Sequence, residues 1–434
     1  MKRAWKNRLA LLVLVCGLAA SSGRTSEIPT GGVTGGVGSG VGVNIHFTRG
    51  HEADLDLIAA AGFKFVRMDF FWADVEHEKG TYDWAAYDEL TASLERHGLR
   101  AYYIFDYSHP LYEETVTDKN GHSVLASPHH PESVAAFARW AAAAARHFHG
   151  HHIVWEIWNE PNGSFWDPEA DVNAYTTLAL ATARAVRAAD PPATIVAPAT
   201  SGFPWPFLQE FLQSGVLPYL DAVSVHPYRR PDQPPESAAG DFARLRGIIA
   251  SNTPASRREA IPILSGEWGY STCVNGVSLP TQAAFAARQQ LANALQGVPI
   301  SIWYDWKNDG DDPGENEHNF GTVRSDLTPK PTYIAIKTLT QQLAGFAIQS
   351  RQPTENQRDF VLVLTNAASE TKLAAWTLDQ PHSLALTLQP APAAKVSYVA
   401  SDGKAGEIIS TNNQITLPLE AAPRYVSLNQ LGLR

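Results

Sequence analysis

The chain has 434 residues, is 44% hydrophobic and carries a formal net charge of −10. That length suits one large domain plus a small module, and the charge argues against nucleic acid, which wants a basic face. The twelve tryptophans are the informative excess. Most belong in a core, but in a cleft a tryptophan stacks on flat or ring-shaped ligands.

Residues 1–23 read as a signal peptide. Lys2, Arg3, Lys6 and Arg8 precede the apolar stretch Leu9 to Ala20, and Ala19-Ala20-Ser21-Ser22-Gly23 offers small residues for cleavage. The apolar stretch is too short to span a bilayer, and no later one is apolar enough. The mature chain is therefore expected to be secreted, extracellular or periplasmic, without membrane contact. Cys16 raises the question of lipidation, although Val15 before it fits a lipobox poorly. Cys273 is the other cysteine, so no internal disulfide is expected after cleavage. Residues 24–42 are glycine-rich and read as a flexible lead-in.

From residue 43 to 345 strands and helices alternate. The strand-like stretches are 43–47, 64–69, 101–105, 153–158, 194–197, 222–226, 261–265 and 300–304. The helical ones are 52–61, 84–97, 132–148, 172–189, 207–214, 241–250, 281–296 and 331–343. Eight such pairs predict an α/β fold, the (β/α)8 TIM barrel. Its strands are near-continuously apolar, as parallel strands covered on both faces should be. Long loops at 106–131 and 305–328 fall on the side where barrel chemistry sits. Residues 346–434 change rhythm to short alternating runs between turn residues, which predicts a small C-terminal antiparallel β-sandwich. It lacks a cluster of exposed aromatics and reads as a brace for the barrel.

Two strand ends carry carboxylates beside tryptophan. The fourth strand runs into Trp158-Asn159-Glu160-Pro161, and the seventh ends Gly266-Glu267-Trp268-Gly269. Burial near tryptophan predicts a raised pKa for Glu160. Strands four and seven face each other across a barrel mouth. A carboxyl pair there, one protonated and one ionised, is what glycosidic bond cleavage requires. Asn159 and Glu160 are neighbours, so a strict two-residue period cannot turn both inward, and an irregularity is expected at that strand end.

These motifs resemble the large clan of retaining (β/α)8 glycoside hydrolases, over roughly residues 43–343. The likeness is to glycoside hydrolase family 39 and the cellulase-like family 5. Gly62-Phe63-Lys64-Phe65-Val66-Arg67-Met68-Asp69, followed by Trp72 and Glu76, is similar to their second-strand motif. The resemblance implies Glu160 as general acid/base and Glu267 as nucleophile. It implies that Asn159 bonds the sugar 2-hydroxyl and that Arg67 holds the nucleophile. Tyr228 or His226, in His226-Pro227-Tyr228, would donate to Glu267, and Trp303 would form the sugar platform. Arg67 could instead neutralise Glu156 alone, and His226 and Trp303 could be ordinary core residues. Asp106, His109, Trp268, Asp305 and Lys307 sit at or near strand ends and are further candidates for substrate contact.

Two patterns mimic metal sites. His147-Phe148-His149-Gly150-His151-His152 lies on the far side of the barrel and reads as a solvated loop. In Asp309-Gly310-Asp311-Asp312-Pro313-Gly314, proline occupies a ligand position and Phe320 replaces the bidentate glutamate of a calcium loop. Neither metal nor cofactor is expected. The sequence thus predicts a secreted retaining glycoside hydrolase acting on β-linked oligo- or polysaccharide. An exo-acting β-glycosidase of the β-xylosidase type and a catalytically silent carbohydrate-binding barrel are the alternatives. The presence of both Glu160 and Glu267 speaks against silence.

Overall fold

Eight short strands pair in chain order and close on themselves in a computed structural model that describes residues 36–257, 260–389, 395–429 and 431–433. They are β1 (Val41–Asn44), β2 (Phe65–Phe71), β3 (Arg100–Asp106), β4 (Val154–Ile157), β5 (Thr194–Ser201), β6 (Ala222–His226), β7 (Ile263–Trp268) and β8 (Ser301–Trp303). All neighbouring pairs are parallel, β8 with β1 included. The helices that cover them are α1 (Glu52–Ala60), α2 (Ala85–Arg96), α3 (Pro131–His147), α4 (Val172–Ala189), α5 (Trp205–Gln213), α6 (Ala239–Asn252), α7 (Leu279–Leu295) and α8 (Pro331–Gln342). The barrel is therefore as the alternation predicts. Periodicity missed two small hairpins, Thr115–Thr117 with Ser123–Leu125 in the long loop after β3 and Glu76–Glu78 with Thr81–Tyr82 after β2.

Side chains alternate along each strand, and this sorts the barrel into layers. Val66, Met68 and Phe70 of β2, like Tyr103 and Phe105 of β3, face outward into the helix-side core. Phe65, Tyr102, Val154, Val196, Ala222, Leu264, Ile300 and Ile302 fill the interior as an apolar floor. Above that floor the inward positions turn polar, with Arg67 and Glu156 in the next layer. An apolar plug below and polar groups above leave one end of the barrel able to hold a ligand.

The expected signal peptide and the glycine run up to residue 35 lie outside the described residues. From Gly36 onward the lead-in is packed, which corrects the flexible reading there. Val37–Gly40 is a 3-10 turn, and the Val37 N–H donates to the Phe346 carbonyl at 2.8 Å. A Cβ on Gly40 would come within 1.7 Å of the Pro299 carbonyl oxygen, so only glycine lets the chain lie this close.

The C-terminal strands are β9 (Ala347–Arg351), β10 (Asp359–Thr365), β11 (Thr371–Thr377), β12 (His382–Gln389), β13 (Lys395–Ala400), β14 (Ala405–Thr411), β15 (Gln414–Leu419), β16 (Arg424–Asn429) and β17 (Gly432–Leu433). They pair antiparallel in the order β9-β10-β11-β16-β13-β14-β15-β12-β17. Strand β10 shows why the run Phe360-Val361-Leu362-Val363-Leu364 is apolar throughout. Phe360, Leu362 and Leu364 join the core shared with the barrel, while Val361 joins the domain's own core. Trp376 donates to Glu236, which also holds Arg288 of α7. The β domain is thus fastened to the barrel wall through a buried polar link.

Candidate active site

Arg67 organises the site. It is 1% exposed and projects from β2 into the barrel. Its Nε donates to Glu156 Oε2 at 2.8 Å and its Nη1 to Glu267 Oε2 at 2.6 Å. Nη1 also reaches Asn44 Oδ1 at 3.1 Å, and Nη2 reaches Asn159 Oδ1 at 2.9 Å. The rival reading, in which Arg67 serves Glu156 alone, is therefore incomplete: one guanidinium fork orients four groups from β1, β4 and β7. Tyr102 donates to the other oxygen of Glu156 at 2.7 Å and completes that carboxylate.

Gly266 makes room for this packing. A Cβ there would lie 2.3 Å from Ser224 Oγ and 3.0 Å from Glu156 Oε1. The residue before Glu267 has no side chain because the polar layer occupies its space.

The strand-end irregularity is at Trp158 (φ 68°) and Glu160 (φ 45°), both in the left-handed region. Each such residue costs on the order of 1–3 kcal/mol. Two bonds hold the turn to its neighbours: Trp158 N–H to the Phe105 carbonyl and Glu160 N–H to the Ala199 carbonyl, both 3.0 Å. As a result Asn159 and Glu160 both border the cavity while the Trp158 indole packs outward and donates to Phe165 O.

The two glutamates are supported differently. Glu267 accepts from Arg67 and from the Tyr228 hydroxyl at 2.7 Å. Burial and the Glu267 charge keep Tyr228 protonated, so it stays a donor. Glu160 lies 2.9 Å from His226 Nδ1. His226 Nε2 faces Arg67 Nη2 at 3.4 Å, and a guanidinium can only donate. His226 is thereby assigned as the Nδ1–H tautomer, donating to Glu160. Of the two expected donors to Glu267, Tyr228 takes that position, and His226 serves the other carboxylate from a fully buried position.

The raised pKa expected for Glu160 is corrected. Burial pushes its carboxyl up. The bonds from His226 and Ser201 and the positive charge of Arg67 together outweigh burial and leave it below the ordinary glutamate range.

A cavity of about 490 Å³ opens above this layer. Its wall includes Arg67, Asn159, Glu160, Tyr228 and Glu267, together with Asn44, His46, Asp69, Tyr107, Phe165, Ser201, Tyr304, Glu317 and Phe320. Several expected residues are elsewhere. Trp303 and Trp268 are fully buried and pack on the helix side. The reason is strand parity. Ile300 and Ile302 point inward, so Trp303 points outward and Tyr304 takes the cavity position. Trp268 follows the inward Glu267 and points outward for the same reason.

His109 is 3% exposed and bonds the Glu76 carbonyl, bracing the hairpin after β2. Lys307 reaches Asp54 of α1 at 3.1 Å. Asp305 is 2% exposed and lies 3.2 Å from His46. It therefore acts on the cavity only through that histidine. Burial lowers the His46 pKa, but the bond and charge of Asp305, with Asp69 and Asp309, raise it to about 9. Asp106 is fully buried and outside the wall. His46 and Asp69 were legible as polar residues at inward positions near strand ends. Phe165, Glu317 and Phe320 come from loops and had no local signal.

Among the described residues, three His/carboxylate groups bring ligand atoms within 4.8 Å of one another: Glu160-His226-Glu267, His46-Asp305-Asp309 and Glu113-Glu114-His129-His130. In the first, Arg67 already supplies positive charge to Glu267. Three of the four histidines of 147–152 are engaged by carboxylates, His147 with Asp88, His149 with Asp190 and His151 with Glu95, each at 2.7 Å. In the loop after β8, Asp311 bonds Ser325 and Asp312 caps Gly314.

Comparison with known proteins agrees with this fold. The model of the family Cellulase (glycosyl hydrolase family 5) matches residues 34–310. A family 39 glycoside hydrolase from the gut symbiont Bacteroides cellulosilyticus WH2 superposes with a TM-score of 0.77 at 25% identity, covering 89% of this chain and 80% of that one. A monomeric beta-xylosidase from Caulobacter crescentus CB15 has a TM-score of 0.64 at 18% identity over 92% of this chain and 97% of its own. A GH30 endoxylanase from Clostridium papyrosolvens C71 has 0.63 at 12% identity, covering 94% and 98%. The last two show likeness of fold alone. No curated protein matches the chain.

Proposed function

The chain belongs to the cellulase family, glycosyl hydrolase family 5, and is a glycoside hydrolase; from that premise we propose that it cleaves β-linked oligo- or polysaccharide with retention, by double displacement. Glu267 attacks the anomeric carbon while Glu160 gives its proton to the leaving oxygen. Water, deprotonated by Glu160, then releases the sugar from Glu267. The leader composition of residues 1–23 supports secretion.

One observation carries the reading. A carboxylate oxygen of Glu160 and one of Glu267 lie within 4.8 Å of each other. Retaining enzymes separate their carboxyl groups by about 5–5.5 Å and inverting ones by about 6.5–9.5 Å. The roles follow from the supports. Glu267 accepts from the Arg67 guanidinium and the Tyr228 hydroxyl, which orient it for attack. Glu160 accepts from His226 and borders the cavity, where it can give and take up a proton. Asn159, anchored by Arg67 and donating to the Tyr107 hydroxyl at 3.1 Å, is poised for the 2-hydroxyl. Tyr304 replaces Trp303 as the aromatic surface under the sugar.

A 2-deoxy-2-fluoro β-glycoside with an activated leaving group tests the mechanism. Peptide mapping is expected to find the label on Glu267. Label on Glu160, or none on a protein that still turns over the parent glycoside, would exclude this assignment. Product lengths from defined oligosaccharides separate endo from exo action.

The His226 bond also makes a pH prediction. It holds Glu160 low, so His226→Ala should raise the pKa of the acid and move the alkaline limb of kcat/KM to higher pH. Loss of orientation should lower the optimum about 10- to 100-fold. An alkaline limb that stays in place or moves down would refute the pairing.

A further inference from the structure

Among the described residues, Asp106 has no donor. It ends β3, is fully buried, and neither of its carboxyl oxygens receives a hydrogen bond from an N–H or O–H among the described residues. An anion in that position would carry the full cost of burial uncompensated. The polar group that does face it is another carboxylate. Asp69 of β2 pairs in register with Ile104, and Asp106 lies two residues further along the same inner face. The register brings the Asp69 carboxyl toward Asp106 in the interior, and burial together with Asp69 pushes the Asp106 carboxyl well above the ordinary range. Two carboxylates cannot bond unless one holds a proton.

Which one holds it follows from position. Asp69 borders the cavity, whereas Asp106 is fully buried outside its wall. The surrounding charges agree. Burial, the Asp69 charge and Glu156 of β4 all push Asp106 toward its neutral form, and Arg67 of β2 alone opposes them. The neighbouring Tyr87 and Tyr107 are themselves held neutral, chiefly by burial. Among the described residues no side chain donates to the Asp69 carboxylate, so its remaining lone pairs point to whatever occupies the cavity.

We propose that Asp69 and Asp106 form a substrate clamp in which buried Asp106, as a neutral acid, donates its proton to Asp69, and Asp69 accepts from hydroxyls of the bound sugar. The proposal rests on the glycosidase reading for its ligand and on the carboxyl pair alone for its proton. Asp106 is a positioning residue: it fixes the Asp69 carboxylate in one orientation and touches no substrate. The ligand class is a neutral sugar ring with adjacent hydroxyls at this wall. A uronate there would meet a fixed anion and be disfavoured.

Two measurements test it on the full chain. Infrared difference spectra of wild type minus Asp106→Asn at neutral pH should show one protonated-carboxyl C=O band lost. Absence of that band overturns the proton assignment, whatever the enzyme hydrolyses. Kinetics test the clamp on the glycoside the wild type turns over best. Asp69→Asn should raise KM about 10- to 100-fold, because it removes charged acceptors. Asp106→Leu should raise KM about tenfold with a smaller change in kcat. Asp106→Asn should recover most of that loss, since its amide N–H replaces the acid O–H as donor. If Asp106→Asn is as impaired as Asp106→Leu, an anionic Asp106 is needed and the proposal falls. It falls equally if Asp69→Asn leaves KM unchanged. A wild type that turns over no glycoside removes the function reading while leaving the spectroscopic test intact.

Discussion

Glu267→Ala should lose on the order of 10⁵- to 10⁶-fold in kcat, the scale seen when a nucleophile is deleted from a covalent mechanism. The protein should nevertheless fold. Arg67 keeps Glu156, Asn44 and Asn159 as partners, and Glu267 is 13% exposed at the cavity wall, so little buried apolar contact is lost. The deleted carboxylate leaves a space below the anomeric carbon that azide can enter. Azide should then restore turnover of an activated β-glycoside and give the α-glycosyl azide, of inverted configuration. Gas-phase or NMR product analysis reads the anomer directly. Unchanged activity, or azide rescue with retained configuration, would remove Glu267 from the nucleophile's role.

Arg67→Met should damage stability and activity together, for separable reasons. Its removal leaves the Glu156 carboxylate, fully buried, with the Tyr102 hydroxyl as its remaining side-chain donor. Breaking a buried ion pair on one side costs about 3–5 kcal/mol, which a chemical denaturation midpoint measures. The same change frees Glu267 and Asn159 from their shared fork. A misplacement of about 1 Å at reacting groups costs on the order of 10²-fold, so kcat/KM should fall by at least that much. The double variant Arg67→Met with Glu156→Gln divides the two effects. Stability should return in large part, because no anion is left uncompensated, while activity should not. Recovery of both would mean that Arg67 serves Glu156 alone and contributes nothing to the catalytic pair.

Sequence and structure differ for identifiable reasons at particular residues. Trp303 was placed one pleat out of phase. A strand of three residues offers too few alternations to fix its parity, and Ile300 and Ile302 settle it only once their inward packing is known. His226 and Tyr228 were both offered as donors to Glu267; Tyr228 takes that place, and His226 serves Glu160 instead. The turn of the chain between them, with the Tyr228 N–H bonded to the His226 carbonyl at 2.8 Å, decides which carboxylate each reaches. The same holds for the Glu160 pKa. Burial was legible from its tryptophan neighbours, but the donors His226 and Ser201 come from strands 66 and 41 residues downstream, and they reverse the sign.

The sequence by itself determined the barrel, because eight apolar strands and eight amphipathic helices have few ways to bury their faces. It also determined that Glu160 and Glu267 stand at the same, C-terminal end of the barrel strands, because strand order fixes which end each residue occupies. Only the tertiary structure decided what surrounds them. Arg67 acquires its four partners, and Asp106 is left without a donor among the described residues, through contacts between strands that are distant in the chain. A hydrogen bond depends on ångström-scale placement across those strands, which periodicity along any one of them does not encode.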